Sequence, residues 1–497
     1  MIDRRSFLAL SAVGAVAGVA VGCSAETSRQ PPNQAAARPV TRPNIVVILA
    51  DDLGNADLGY RGSAIATPHI DELARTGVRL ESYYGQQLCT PARAALLTGR
   101  YPMRMGLQTG VIFPAHTYGL PTDEVTLPQA LRTAGYRTAM VGKWHLGHAE
   151  EKYWPQNRGF DHFYGNLVGE VDYFTKERGG IVDWQRDGVF LREDGYYTTL
   201  IGNEAVATIE RHDPANPLFL YVASLAPHSP LEAPQADIDA YASVFDDAEK
   251  RAYAAMISLV DVQVGRIVAA LQDKGMRENT LILFTTDNGG LTNMKVRAPG
   301  GKPAVQPPAS NGEYRDGKGS LYEGGVRVPA IVNWPAAIAP SESDEILHHV
   351  DIMPTLLALA GAQGSPDHPF DGRDAWDTLA AGSASPHDEI LINVESYRGS
   401  IRRDRWKLVK VALLPGKTEL FDLVEDPGEK TDVAERFPDI VRDLEARLIS
   451  YASEQKPSQW LLAQPSFAGP QGVTVFDPGY DFDDGGLPTE KPVLPPG

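Results

Sequence analysis

Continuous apolar runs alternate along this chain with stretches whose apolar residues recur every three or four positions. That alternation is the pattern of strands buried on both faces of a sheet, separated by amphipathic helices. Asn44-Ile45-Val46-Val47-Ile48-Leu49-Ala50 is the first β-branched run and predicts a strand inside a parallel sheet. A helix is predicted from Thr67, with Pro68 at its first position and Gly77 just past its end. Another starts at Cys89 and runs through Leu97, and a third spans 126–134, where Thr126 and Gln129 form a capping box and Gly135 stops the helix. Strands are predicted over 136–141, 218–224 and 280–286. Between the last two lies a long helix marked by Ile257, Val260, Val264, Ile267 and Leu271.

Four strands deliver polar residues at their C-terminal ends: Asp51-Asp52, Lys143 to His145, His228, and Asp287-Asn288. In open α/β sheets ligands bind at that edge, so the four clusters are expected to face one crevice. The expected fold is α/β, a three-layer sandwich around a large, mostly parallel sheet. Past a helix-like stretch over 350–360 the pattern changes to short antiparallel strands over 390–394, 399–403, 406–411 and 419–423, then a helix over 439–451. The expected division is a catalytic domain over 43–370, a smaller α+β subdomain over 371–464, and a tail rich in Gly, Pro and Asp over 465–497. A flexible linker rich in Pro, Ala and Gln precedes the body over 24–42.

Composition adjusts this picture at the N-terminus. The apolar run from Phe7 to Gly22 is too short to span a membrane, which takes about 20 residues. Residues 1–23 read as an export signal: Arg4-Arg5-Ser6-Phe7-Leu8 resembles a twin-arginine signal, and Ala20-Val21-Gly22-Cys23 resembles a lipobox with a lipidated cysteine. The expected location is the periplasm, free or anchored to the membrane as a lipoprotein. The chain has two cysteines, so processing of Cys23 leaves Cys89 with no disulfide partner. The formal net charge is −18; Asp3, Arg4 and Arg5 carry +1, so the chain without residues 1–22 stands at −19. Such an acidic balance excludes nucleic acid as a partner and requires a locally basic pocket for any anionic substrate.

Asp51, Asp52, Asp287 and Asn288 are hard oxygen ligands of the kind calcium or magnesium selects, and close carboxylates repel unless a cation neutralises them. Arg93, Lys143, His145, His228 and Lys318, the last in Gly317-Lys318-Gly319, are candidates to bind a tetrahedral anion and protonate a leaving oxygen. Cys89 at a helix start faces positive potential, a setting an inert core thiol does not need.

Cys89-Thr90-Pro91-Ala92-Arg93, followed by Leu97-Thr98-Gly99-Arg100, resembles the first signature of the type I sulfatases, and the run from Gly135 to Gly147 resembles their second. The resemblance extends from Pro43 to about Gly361 and includes Asp51-Asp52-Leu53-Gly54, Asp287-Asn288-Gly289-Gly290 and Gly317-Lys318-Gly319. It is nearest to the arylsulfatase B branch, whose members act on the 4-sulfate of N-acetylgalactosamine. The resemblance implies that an external formylglycine-generating or sulfatase-maturating enzyme oxidises Cys89 to formylglycine. It further implies one calcium ion per chain, held by Asp51, Asp52, Asp287, Asn288 and the modified Cys89. Arg93 would stabilise the formylglycine; Lys143, His228 and Lys318 would hold the sulfate, His228 or Lys318 donating the proton, and His145 would assist the closing step. The implied reaction removes sulfate from a sulfated saccharide through a sulfo-enzyme intermediate. Two rival readings are a phosphomonoester or phosphonate-ester hydrolase and a non-catalytic surface protein that binds sulfated glycans. Where many members carry an aromatic residue after the Asp-Asp-Leu-Gly run, this chain has Asn55. Loops over 112–120 and 170–180 are expected to select the sugar.

Overall fold

The computed structural model describes residue 38 and residues 42–292 and 308–464. The signal with Cys23, all but residues 38 and 42 of the linker, and the tail from 465 lie outside the described residues. Asn44–Ala50 is buried along its whole length and pairs in parallel with Leu218–Ala223 on one side and Thr280–Thr286 on the other. Arg137–Lys143 and His162–Asn166 extend the parallel set, giving five adjacent parallel strands at the centre of a ten-stranded sheet. Strands flanking this set are antiparallel to it: Ala330–Asn333 beside Thr280–Thr286, and Gln185–Arg186 beside His162–Asn166. The sheet is therefore mixed, parallel at its core.

Side chains alternate across the central strand, and the alternation builds the layers. Val46, Ile48 and Ala50 join Ile201, Ile257, Val264 and Leu271 in one core; the helices Pro68–Thr76, Tyr197–Arg211 and Ala248–Asp273 cover that face. Ile45, Val47 and Leu49 point the other way, into a core with Leu96, Leu131 and Leu356 from the helices Cys89–Thr98, Leu127–Thr133 and Ile352–Ala360. The three-layer sandwich follows from this two-sided burial.

The C-terminal strands Glu389–Val394, Arg398–Arg403, Trp406–Val411 and Lys417–Asp422 form a four-stranded antiparallel sheet in sequence order. Leu444 and Leu448 of the helix Pro438–Ser453 pack on it, and the same cluster contains Ala95 and Met103 of the larger body.

The capping box at Thr126 is present as expected: Thr126 N donates to Gln129 Oε1 at 2.9 Å, and the hydroxyl also donates to Arg158 O at 2.7 Å. Thr126→Ala is expected to lower stability by about 1–2 kcal/mol, read as a drop in the thermal midpoint with activity per folded molecule unchanged.

Candidate active site

Lateral register places the chemical groups at one level. Ala50 pairs with Thr286, so Asp51 and Asp287 leave adjacent strands together, and Ala223 pairs with Gly142 immediately before Lys143. Gly142 has φ +107°, and a Cβ there would stand 1.9 Å from Ala223 O, so only glycine permits this pairing. Asp52 and His145 take left-handed backbone at φ +62° and +58°, each at a cost of about 1–3 kcal/mol. Such strain is sustained where the surrounding structure fixes the residue, as the packed strand ends do here.

Cys89 opens its helix and lies fully enclosed beneath the sheet edge. Its thiol donates to Asp51 Oδ1 at 3.5 Å and accepts from Lys143 Nζ at 3.6 Å. Burial, then the Asp51 carboxylate, push the thiol well above its ordinary pKa. Both effects disfavour the thiolate, unlike the surroundings of an activated cysteine nucleophile. Arg93, one helical turn later and fully buried, donates from Nη2 to Asp51 Oδ2 at 3.1 Å and Asp287 Oδ2 at 2.9 Å. Its Nη1 donates to Lys143 O at 3.0 Å. Burial pushes the Asp51 carboxyl up, but Lys143 and Arg93 outweigh it and hold the group below its usual range.

Asp52 gathers a second pair of basic side chains. Lys318 Nζ stands 2.8 Å and His228 Nε2 3.6 Å from Asp52 Oδ2. Burial opposes the Lys318 charge, yet Asp52 holds the ammonium well above its ordinary pKa. For His228, burial, then Lys318 and Lys143, drive the imidazole far below its usual value, so it is neutral. Its Nδ1 donates to Ser229 O at 2.7 Å, which fixes the tautomer with Nε2 free toward Asp52. Burial, then Lys143 and Arg93, likewise keep His145 neutral. His145 Nε2 donates to Ile112 O at 3.2 Å.

The donor set suits a hard divalent cation. Ligand atoms of Asp51, Asp52, Cys89 and His228 all lie within 4.8 Å of one another. Asn288 Nδ2 donates to Asp52 Oδ1 at 2.7 Å, while Asn288 Oδ1 is buried without a hydrogen-bond partner. A buried orphaned carbonyl costs about 1–3 kcal/mol, and a cation beside the carboxylates is the partner that would satisfy it. Asp287 stands at the rim: its Oδ1 accepts the Asn288 amide at 2.9 Å and the Asp52 amide at 3.3 Å.

All ten candidate residues thus fall in one site, with His145 linked to it through Thr90, whose hydroxyl donates to His145 O at 3.0 Å. His228, expected only to hold the anion, is also close enough to join the metal ligands. Sequence reasoning missed Glu170, whose Oε2 is 3.8 Å from His228 Nδ1, and His349, which burial drives down to about 4 despite Asp287 beside it. Glu170 opens the 170–180 loop expected to select the sugar, but its place beside His228, like that of His349 beside Asp287, is set by tertiary packing alone. Asn55 is buried with its amide nitrogen committed to Arg327 O at 3.1 Å, so the aromatic position noted above is here a structural one.

Comparison with known proteins places the chain among sulfatases. The family model described as Sulfatase matches residues 43–362, and that of the N-sulphoglucosamine sulphohydrolase C-terminal region matches 312–454. Arylsulfatase J of Mus musculus is 34% identical, covering 88% of this chain and 81% of its own. Arylsulfatase A of Homo sapiens is 36% identical over 74% of this chain and 73% of its own. The crystal structure of Ps i-CgsB in complex with k-i-k-neocarrahexaose superposes with a TM-score of 0.76 at 31% identity, covering 86% of this chain and 99% of that one.

Proposed function

Because this chain belongs to the sulfatase family and is a sulfuric ester hydrolase, we propose that it removes sulfate from a sulfated saccharide, using Cys89 as formylglycine and one calcium ion. The observation that carries this reading is the gradient of enclosure: Lys143, Arg93 and Asp51 side chains are 0% exposed around Cys89, whereas His228 and Lys318 open to 12% and 10%. A sulfate ester entering past His228 and Lys318 would present its sulfur to residue 89.

Asp51, Asp52, Asp287 and Asn288 would hold the calcium, which would supply positive charge against the sulfate oxygens. Formylglycine at position 89, as its hydrate, would supply a geminal pair of hydroxyls in place of the single sulfur, one as nucleophile and the other, once deprotonated, as the group that releases sulfate. Lys143 lies beside residue 89 and would bind a sulfate oxygen there. Arg93 holds the Asp51 and Asp287 carboxylates in place. Of the two proton-donor candidates we assign the acid role to Lys318, whose Nζ stands 2.8 Å from Asp52 Oδ2 at the open side of the site, so Lys318 would protonate the departing alcohol and His228 would hold the sulfate.

Lys318→Ala is accordingly expected to lower kcat by about 10² to 10³ on a sugar sulfate. The loss should be much smaller on an aryl sulfate, whose phenolate leaves without a proton; equal losses on both would remove the acid role. Dialysis against a chelator is expected to abolish sulfate release, with calcium restoring it. Parallel assays with a panel of defined sulfated saccharides and matched aryl phosphates test the substrate class, and faster turnover of phosphate would replace the sulfate-ester reading with a phosphoester one.

The same proposal includes maturation by a formylglycine-generating enzyme and export by the twin-arginine route, with Cys23 lipidated. Arg4, Arg5 and Cys23 support it. Labelling with a fatty-acid analogue, present in the native chain and absent after Cys23→Ala, is the expected outcome.

A further inference from the structure

Lys318 must face Cys89 although the two lie on unrelated segments. One direct tie joins them: Gly319 N donates to Gln87 O at 2.7 Å, two residues before Cys89. A second comes from the C-terminal sheet. Arg398 Nη1 donates to Gly319 O at 2.8 Å. Its Nε and Nη2 meet Glu395 Oε1 at 3.0 and 2.9 Å. The same Glu395 oxygen accepts from Gln87 Nε2 at 3.2 Å. Asn393 Nδ2 completes the arrangement by donating to Glu395 Oε1 at 3.1 Å and to Gln108 O at 2.9 Å, the carbonyl that Gln87 Nε2 also holds at 2.8 Å.

The Glu395 side chain is fully enclosed and that of Arg398 is 19% exposed. Desolvation makes such a pair a poor source of net stability. What it fixes is geometry: one guanidinium grips the peptide next to Lys318, and its carboxylate partner grips the side chain next to the Cys89 helix. Arg398 engages Glu395 through Nε and Nη2 while Nη1 reaches Gly319 O, three directed donors on one plane that a lysine lacks.

We propose that Glu395 and Arg398 are positioning residues that set Lys318 against residue 89, making the C-terminal sheet a working part of the active site. The inference rests on the role assigned to Lys318 above. In matured protein with equal formylglycine occupancy, Arg398→Ala is expected to lower kcat on a sugar sulfate by roughly 10- to 100-fold with KM unchanged. Arg398→Lys and Glu395→Gln, which keep charge or shape and guard against misfolding, should show smaller losses in the same direction. In a Lys318→Ala background, Arg398→Ala should cost nothing further, because both substitutions remove one function. The same fold-loss in both backgrounds, or a lower thermal midpoint with kcat intact, would overturn the proposal. A crystal structure of Arg398→Ala decides independently of substrate: Lys318 displaced from Asp52 supports the inference, and Lys318 still on Asp52 contradicts it. Failure of the native enzyme on every sulfate ester would instead overturn the functional reading, leaving the structural arm to judge the positioning network.

Discussion

Cys89→Ala is expected to reduce sulfate release by about 10⁴-fold or more, as removal of a covalent nucleophile does elsewhere. Burial and the Asp51 carboxylate disfavour ionisation of the thiol, a setting unlike that of an activated cysteine. Loss of one sulfur from a packed site should leave the fold intact, and calcium binding by the oxygen ligands should persist in calorimetry. Cys89→Ser separates the chemistry further. A serine can attack sulfur but has no second hydroxyl on the same carbon, so at most a single turnover is expected, seen as a burst of alcohol without sustained sulfate. Multiple turnover by either variant would remove formylglycine from the mechanism.

Arg93→Ala is expected to produce the largest loss of stability, about 3–5 kcal/mol, because it strands Asp51 and Asp287 as buried carboxylates facing one fewer cation. Arg93→Lys should recover only part, since an ammonium cannot serve both carboxylates and the Lys143 carbonyl at once. The pH dependence has a definite sign. The folded Asp51 carboxyl lies below its ordinary range, so its contribution is complete at neutral pH and disappears as pH falls through the folded value. Removing Arg93 raises that value, and the acid-unfolding midpoint of the variant should move up. Denaturant and acid titrations of the metal-free protein measure both effects; unchanged midpoints would show that Lys143 alone neutralises the pair.

Much of this arrangement was legible in the sequence because burial on both faces writes itself as an uninterrupted apolar run. The expected strand over 44–50 and that over 280–286 coincide with Asn44–Ala50 and Thr280–Thr286, and the Thr67 and Gly77 signals bracket Pro68–Thr76. His162–Asn166 escaped, since five residues with a histidine, a glycine and an asparagine carry no such run. The helix Tyr197–Arg211 escaped as well: its Gly202, packed against the Gln263 side chain, is a helix-weakening residue in mid-run.

The site divides in the same way. Asp51, Asp52, Lys143, Asp287 and Asn288 could be found because each follows a readable strand. Glu395 and Arg398 could not, for they meet the site only through tertiary contacts between segments far apart in the chain. The resemblance in sequence implied roles, while the geometry placed Lys318 and His228 together against Asp52.

Peptide mapping of natively produced, active enzyme tests the central claim most directly. The peptide spanning residues 88–93 is expected to carry an aldehyde at position 89 that a hydrazide probe captures, with occupancy rising in proportion to specific activity across preparations. Full activity in protein whose residue 89 is an unmodified cysteine would contradict it.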